Sequence, residues 1–196
     1  MLHLNFKAQL YIYSFLCLYA VERSVFALTV LRGIKTHSSA WLTYMPFLSY
    51  IVLCFVSIIE FFLLTNKVVN LIISVMGIFI LVGGIFLRYQ AIWAFRVNEQ
   101  KWNSHVDADS INILITTGIY KFVRHPYYFS VMLELCGIAL LLNTFRSLIF
   151  IFLIQAPLLC KRIIVEDSAL SGKFGRQYIL YKKQARTILP NWSAKK

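Results

Sequence analysis

Charge is what this chain has least of. Only 14% of its 196 residues are Asp, Glu, Lys or Arg, against 59% hydrophobic, and the mean hydropathy is +0.69. Soluble domains carry about a quarter charged residues, so the deficit excludes an ordinary water-soluble globule, and the apolar runs are long enough to cross a bilayer. The lipid bilayer is therefore an expected partner. Acidic residues are scarcest, 8 against 20 basic ones, for a formal net charge of +12. That excess does not point to nucleic acid, because the basic residues lie mostly between the apolar runs and in the tail, as beside anionic lipid. Cysteine is also sparse. Cys17, Cys54, Cys136 and Cys160 fall within or at the ends of apolar runs, with no CxxC spacing and no clustered histidines, so they read as packing residues and no metal site is expected. Internal repeats, low-complexity segments and linkers are missing too, which leaves one domain over residues 1–196, with two N-terminal spans in 1–66.

What is present is a series of apolar runs. They predict an all-α, polytopic membrane protein with about five spans: Ala8 to Leu31, Trp41 to Leu64, Val68 to Phe95, Tyr127 to Leu142 and Ser147 to Val165. At about 1.5 Å per residue the fourth only just crosses the hydrocarbon. Between the last two stand only Asn143, Thr144, Phe145 and Arg146, enough for a tight helical hairpin. Lys and Arg cluster after the first, third and fifth spans, which orients the N-terminus outside and the C-terminus in the cytoplasm. The first run lacks the strongly basic start and small-residue cleavage site of a removable signal peptide.

Several residues inside the runs need partners. Glu22, Arg23, Glu60 and Glu134 are costly in hydrocarbon, so they are expected to pair across the bundle or to line a substrate cavity. Gly77, Gly83 and Gly84 are expected to allow close helix approach. Trp41, Tyr44, Trp93, Trp102 and Trp192 fall near span ends, where amphipathic rings are favoured.

The densest polar stretch is Gly118-Ile119-Tyr120-Lys121-Phe122-Val123-Arg124-His125-Pro126-Tyr127-Tyr128, immediately before the fourth run. Pro126 has a fixed φ and no N–H, so it suits the first turn of a helix and pushes His125 out of helical geometry. The unpartnered N–H groups of that first turn favour an anionic group. An interfacial Tyr/Arg belt is the alternative. Beyond the fifth run, Arg162 and Glu166 stand four apart on one helix face, able either to present both charges to a ligand or to pair with each other. Tyr178 and Tyr181, three apart, are placed to close over a ligand or to rest on headgroups.

Taken in order, Leu114-Ile115-Thr116-Thr117-Gly118-Ile119-Tyr120, Arg124-His125-Pro126-Tyr127-Tyr128, Arg162 with Glu166-Asp167 and Leu170, and Phe174-Gly175 with Tyr178 and Tyr181 resemble the isoprenylcysteine carboxyl methyltransferase family. The resemblance covers roughly residues 82 to 190, and 67–196 is then the catalytic core. It implies a pocket for the methyl donor S-adenosylmethionine on the cytosolic side, closed by the C-terminal helical tail, with a lipophilic substrate entering from the bilayer. By position, Leu114, Ile115, Tyr120, His125, Pro126, Tyr127, Tyr128 and Glu166 would line the cofactor site. Arg162 would face the substrate carboxylate and, with Glu166, carry catalysis. The implied substrate is an isoprenylcysteine or similar lipophilic acid; a phenol or pyrone of a lipid, a phospholipid amine, or a non-catalytic or reductase relative of the same core are the alternatives. The chain has Ser130 where the family usually has glycine, Asp167 where a second glutamate is common, and Asn112 where a histidine is usual. The loop Asn98 to Ile111 aligns poorly.

Overall fold

The computed structural model describes residues 19–21, 23, 41–63, 70–98 and 113–188. All regular structure among them is helical, apart from a single parallel bridge between Val123 and Arg186. Helix α1 is Trp41–Leu63, α2 is Leu71–Val97, α3 is Pro126–Leu141, α4 is Phe145–Phe174 and α5 is Arg176–Gln184, with a 3-10 turn at Gly118–Lys121. Met45–Leu63, Leu71–Val97 and Phe145–Phe174 are long and apolar enough to cross a membrane, and α3 is a shorter apolar helix. These elements correspond to the last four expected spans. Of the first, only Tyr19, Ala20, Val21 and Arg23 are described, all helical. Glu22, Trp102, Trp192, the loop from position 99 to 112 and the side chains of Trp41 and Tyr44 lie outside the described residues.

The centre of the fold is the antiparallel pair α2 and α3. Along α2, Ser74, Gly77, Leu81, Gly84, Arg88, Ala91 and Ala94 are buried, a stripe spaced three and four apart that keeps one face on α3. Contact is backbone to backbone. A Cβ on Gly77 would sit 2.3 Å from the Leu141 nitrogen, and one on Gly137 would sit 2.7 Å from the Leu81 nitrogen. Gly84 packs as closely, against the Glu134 side chain and backbone nitrogen and the Leu133 Cβ. Gly83 does not: nothing lies within 4 Å of a Cβ built there, so the expected packing role holds for its neighbours only. One residue along a helix is a turn of about 100°, enough to move Gly83 off the contact stripe.

Polar side chains stitch the helix ends. Asn70 caps α2, its side chain accepting from the backbone of Ile72 and Ile73, and its own N–H donates to Asn143 at 3.0 Å. Asn143 adopts φ 56°, the left-handed conformation that asparagine tolerates, and so turns α3 tightly into α4. Glu60 of α1 accepts from the backbone N–H groups of Arg146 (3.1 Å) and Ser147 (2.8 Å) and from the Ser147 hydroxyl (2.6 Å). A carboxylate from one helix thereby caps the N-terminus of another, where its charge is favoured. Glu134, fully buried on α3, lies 3.2 Å from Arg88 of α2 and 3.5 Å from Arg23, and accepts from the Tyr19 hydroxyl. The expected cross-bundle pairing is met for Glu60, Glu134 and Arg23.

Candidate active site

Pro126 starts α3 as its first residue, and His125 before it has φ −124° and ψ 59°, outside the helical region as proline demands. The preceding segment is held by the chain's C-terminal side. Arg124 N–H donates to the Arg186 carbonyl at 2.8 Å and His125 N–H to the Thr187 carbonyl at 3.1 Å. Tyr181 donates its hydroxyl to the Tyr120 carbonyl at 2.7 Å, and Arg124 reaches the Thr187 hydroxyl at 2.6 Å. Helix α5 can return here because Gly175, at φ 51°, breaks α4 from α5 in a conformation few other residues adopt. Tyr178 and Tyr181 are both buried, so they pack under the tail and do not rest on headgroups.

Asp167 gathers four donors. Arg124 approaches it at 2.8 Å, His125 Nε2 at 2.9 Å and Lys182 at 3.3 Å, and the Tyr178 hydroxyl donates to it as well. A carboxylate only accepts, so the His125 proton sits on Nε2. Burial, reinforced by the Asp167 charge, pushes the Tyr178 phenol well above its ordinary range, and burial does the same to Tyr120 and Tyr181. All three remain protonated donors at neutral pH. Of these groups, Asp167 and Arg124 were not expected as site residues. No spacing rule links 124, 167 and 178; the cue was that all three stand within the motifs that carry the family resemblance.

The expected pair Arg162 and Glu166 is brought together through a third group. Arg162 Nε donates to the Tyr128 hydroxyl at 2.6 Å, and that hydroxyl donates to Glu166 Oε2 at 2.5 Å. The i, i+4 spacing put both on one face, and Tyr128 of α3 fills the gap. The Tyr128 ring also stacks on His125, with centroids 5.7 Å apart, and the Arg162 guanidinium lies over it. Glu166 Oε1 faces His125 Nδ1 at 4.0 Å, beyond hydrogen-bond range, and the Glu166 side chain is 23% exposed. It can still accept a donor from a ligand.

The other expected cofactor-lining residues divide. Tyr120 packs its ring edge-on against Phe95 at 5.8 Å. Ile115 is buried, and Leu114 packs on the cluster of Leu170, Tyr178, Tyr181 and Ala185, so Leu114 supports the tail. Tyr127 instead faces a pocket among the apolar helices, of about 60 Å³, lined by Arg23, Pro46, Phe47, Tyr50, Tyr127, Tyr128, Val131, Gln155, Leu159 and Arg162. Two helix irregularities border it. Pro46 interrupts the bonding of α1, and α4 widens to π geometry over Ile151–Gln155, a form frequent at functional sites. Gln155 bridges them, donating to the Pro46 carbonyl at 3.2 Å and accepting from Ser49 at 2.5 Å. Tyr50 and Gln155 were not anticipated; a glutamine inside an apolar run was the available signal.

The sequence profile of the isoprenylcysteine carboxyl methyltransferase family matches residues 75–172, half of the chain and all of α3 with the Arg162–Glu166–Asp167 segment. The chain belongs to this family. Among curated relatives of this family member, the protein-S-isoprenylcysteine O-methyltransferase of Schizosaccharomyces pombe is 33% identical over 90 residues, 44% of this chain and 38% of the relative. That of Xenopus laevis is 30% identical over 118 residues, 60% of this chain and 41% of the relative, and that of Saccharomyces cerevisiae 35% over 83, covering 42% and 34%. The matched segments span about two fifths of these relatives' length. Among the described residues, no group of three His, Cys, Asp or Glu side chains is arranged to hold a metal ion.

Proposed function

We propose that the chain is an integral-membrane methyltransferase that uses S-adenosylmethionine to esterify the carboxyl group of an isoprenylcysteine or similar lipophilic acid. One observation carries this reading. The Tyr128 hydroxyl links a buried arginine lining an apolar-walled pocket to a partly exposed glutamate at the polar end, so groups suited to an anionic acceptor and to an amine-bearing donor adjoin.

The donor set fits the cofactor's chemistry. Glu166 Oε1 would accept from its amino group, the first N–H groups of α3 would receive its carboxylate, and Tyr120 and His125 would border it. S-adenosylmethionine supplies a sulfonium-bound methyl, passed in line to an oxygen while the bonding electron pair stays on sulfur. Everything else falls to the chain. Arg162 orients the acceptor carboxylate by a charge-assisted bond, and Tyr128 fixes Arg162 and Glu166 relative to each other. An acid is already ionised at neutral pH, so no general base is needed. Alignment in a water-poor cavity then contributes up to about 7 to 11 kcal/mol.

Calorimetry on the detergent-purified chain tests the donor half. S-adenosylmethionine is expected to bind, and Glu166→Ala to weaken that binding at least tenfold. No binding, or binding indifferent to Glu166→Ala, would overturn the reading.

A further inference from the structure

Among the described residues, the lining of the pocket among the apolar helices includes two arginines, Arg23 and Arg162, and no aspartate or glutamate. Their surroundings repeat. Arg162 rests over the ring of Tyr128 at 5.4 Å and is joined through that tyrosine to Glu166. Arg23 rests over the ring of Tyr50 at 4.8 Å and pairs with Glu134 at 3.5 Å. Both tyrosines line the pocket, and both arginines are largely buried. Each guanidinium is thus held by a tyrosine that itself lines the pocket, with Glu134 paired directly to Arg23 and Glu166 joined to Arg162 through Tyr128. Like charges turned toward one small space of low dielectric repel, and an anion between them relieves the cost. The volume, about 60 Å³, is ample for a carboxylate with its neighbouring atoms. A bound amphiphile would leave its tail among the lipid-facing side chains, of which Met45, Leu48 and Ile51 of α1 and Phe152, Leu153 and Ile154 of α4 are exposed.

We infer that Arg23 is a specificity-determining residue: with Arg162 it clamps the carboxylate of the acceptor, so that the pocket selects amphiphiles with an anionic headgroup over neutral ones. The inference rests on the proposed acid acceptor and adds to it a residue from the N-terminal span, outside the family-matched region 75–172. The planar guanidinium fork matches a carboxylate's two oxygens in a way that a lysine's single ammonium does not.

The test uses the full chain in detergent and two probes with the same tail, a farnesyl thioether ending in a free carboxylate and its methyl ester. Wild type is expected to bind the acid at least tenfold more tightly than the ester. Arg23→Gln should reduce that ratio at least tenfold, mainly by weakening the acid, and Arg23→Lys should give an intermediate ratio. A purely structural Arg23 would alter both affinities together and leave the ratio intact, which would overturn the inference. If Arg23→Gln does not fold, Arg23→Lys decides: a ratio equal to wild type overturns the inference, a fall of threefold or more supports it. The two readings fail separately. Methyl transfer to the acid with a KM indifferent to Arg23→Gln removes this inference and keeps the reaction. Arg23-dependent acid binding without methyl transfer removes the reaction and keeps this inference.

Discussion

Tyr128 is the residue on which the site turns. Its hydroxyl takes a hydrogen bond from Arg162 and gives one to Glu166, while its ring stacks on His125. Replacing it with phenylalanine keeps the ring and removes only the link. A hydrogen bond to a charged group is worth about 1.5 to 3 kcal/mol, or roughly a ten- to hundredfold change in rate. Tyr128→Phe is therefore expected to lower kcat/KM for methyl transfer by that factor and, because the buried Arg162 loses a partner, to lower the thermal midpoint of the purified protein modestly; unchanged kinetics would contradict the role. Asp167 works differently. It holds Arg124, His125, Tyr178 and Lys182 in place and so fixes the histidine's tautomer.

At the scale of elements, the α2–α3 contact decides the geometry of everything on α3. Gly137 and Gly83 make a matched pair for testing it, one with the Leu81 backbone 2.7 Å from its missing Cβ and one with nothing within 4 Å. Overpacking costs typically about 1 to 3 kcal/mol and here meets rigid backbone. Gly137→Leu should markedly lower the thermal midpoint in detergent, and Gly83→Leu should leave it nearly unchanged. Equal effects would refute the packing account. The elements themselves were legible from local signals: apolar runs marked the spans, Pro126 marked the start of α3, and the short polar segment at Asn143 marked the turn. Gly83 was misread because adjacency in sequence hides a full change of face. The need of Arg23 for a partner was legible from its cost in hydrocarbon, and the candidate site was legible where spacing is local, as for Arg162 and Glu166. It was not legible where residues far apart converge. Asp167 meets Arg124 and Tyr178 only after Gly175 folds α5 back, and Gln155 meets Pro46 only across two helices.

For the molecule as a whole, the helices leave two kinds of surroundings side by side. A polar cluster tied down by α5 adjoins a small pocket among apolar helices, and the Arg162–Tyr128–Glu166 connection runs between them. A methyl donor that is charged and water-soluble and an acceptor that is lipophilic need such a boundary. The most direct test is methyl transfer from radiolabelled S-adenosylmethionine by the purified chain, offered in parallel a farnesylcysteine analogue with a free carboxylate and a lipid extract. The account predicts base-labile label in the farnesylcysteine analogue, lost with Arg162→Gln. Label confined to the lipid extract in a base-stable form, or no transfer to either, would contradict it.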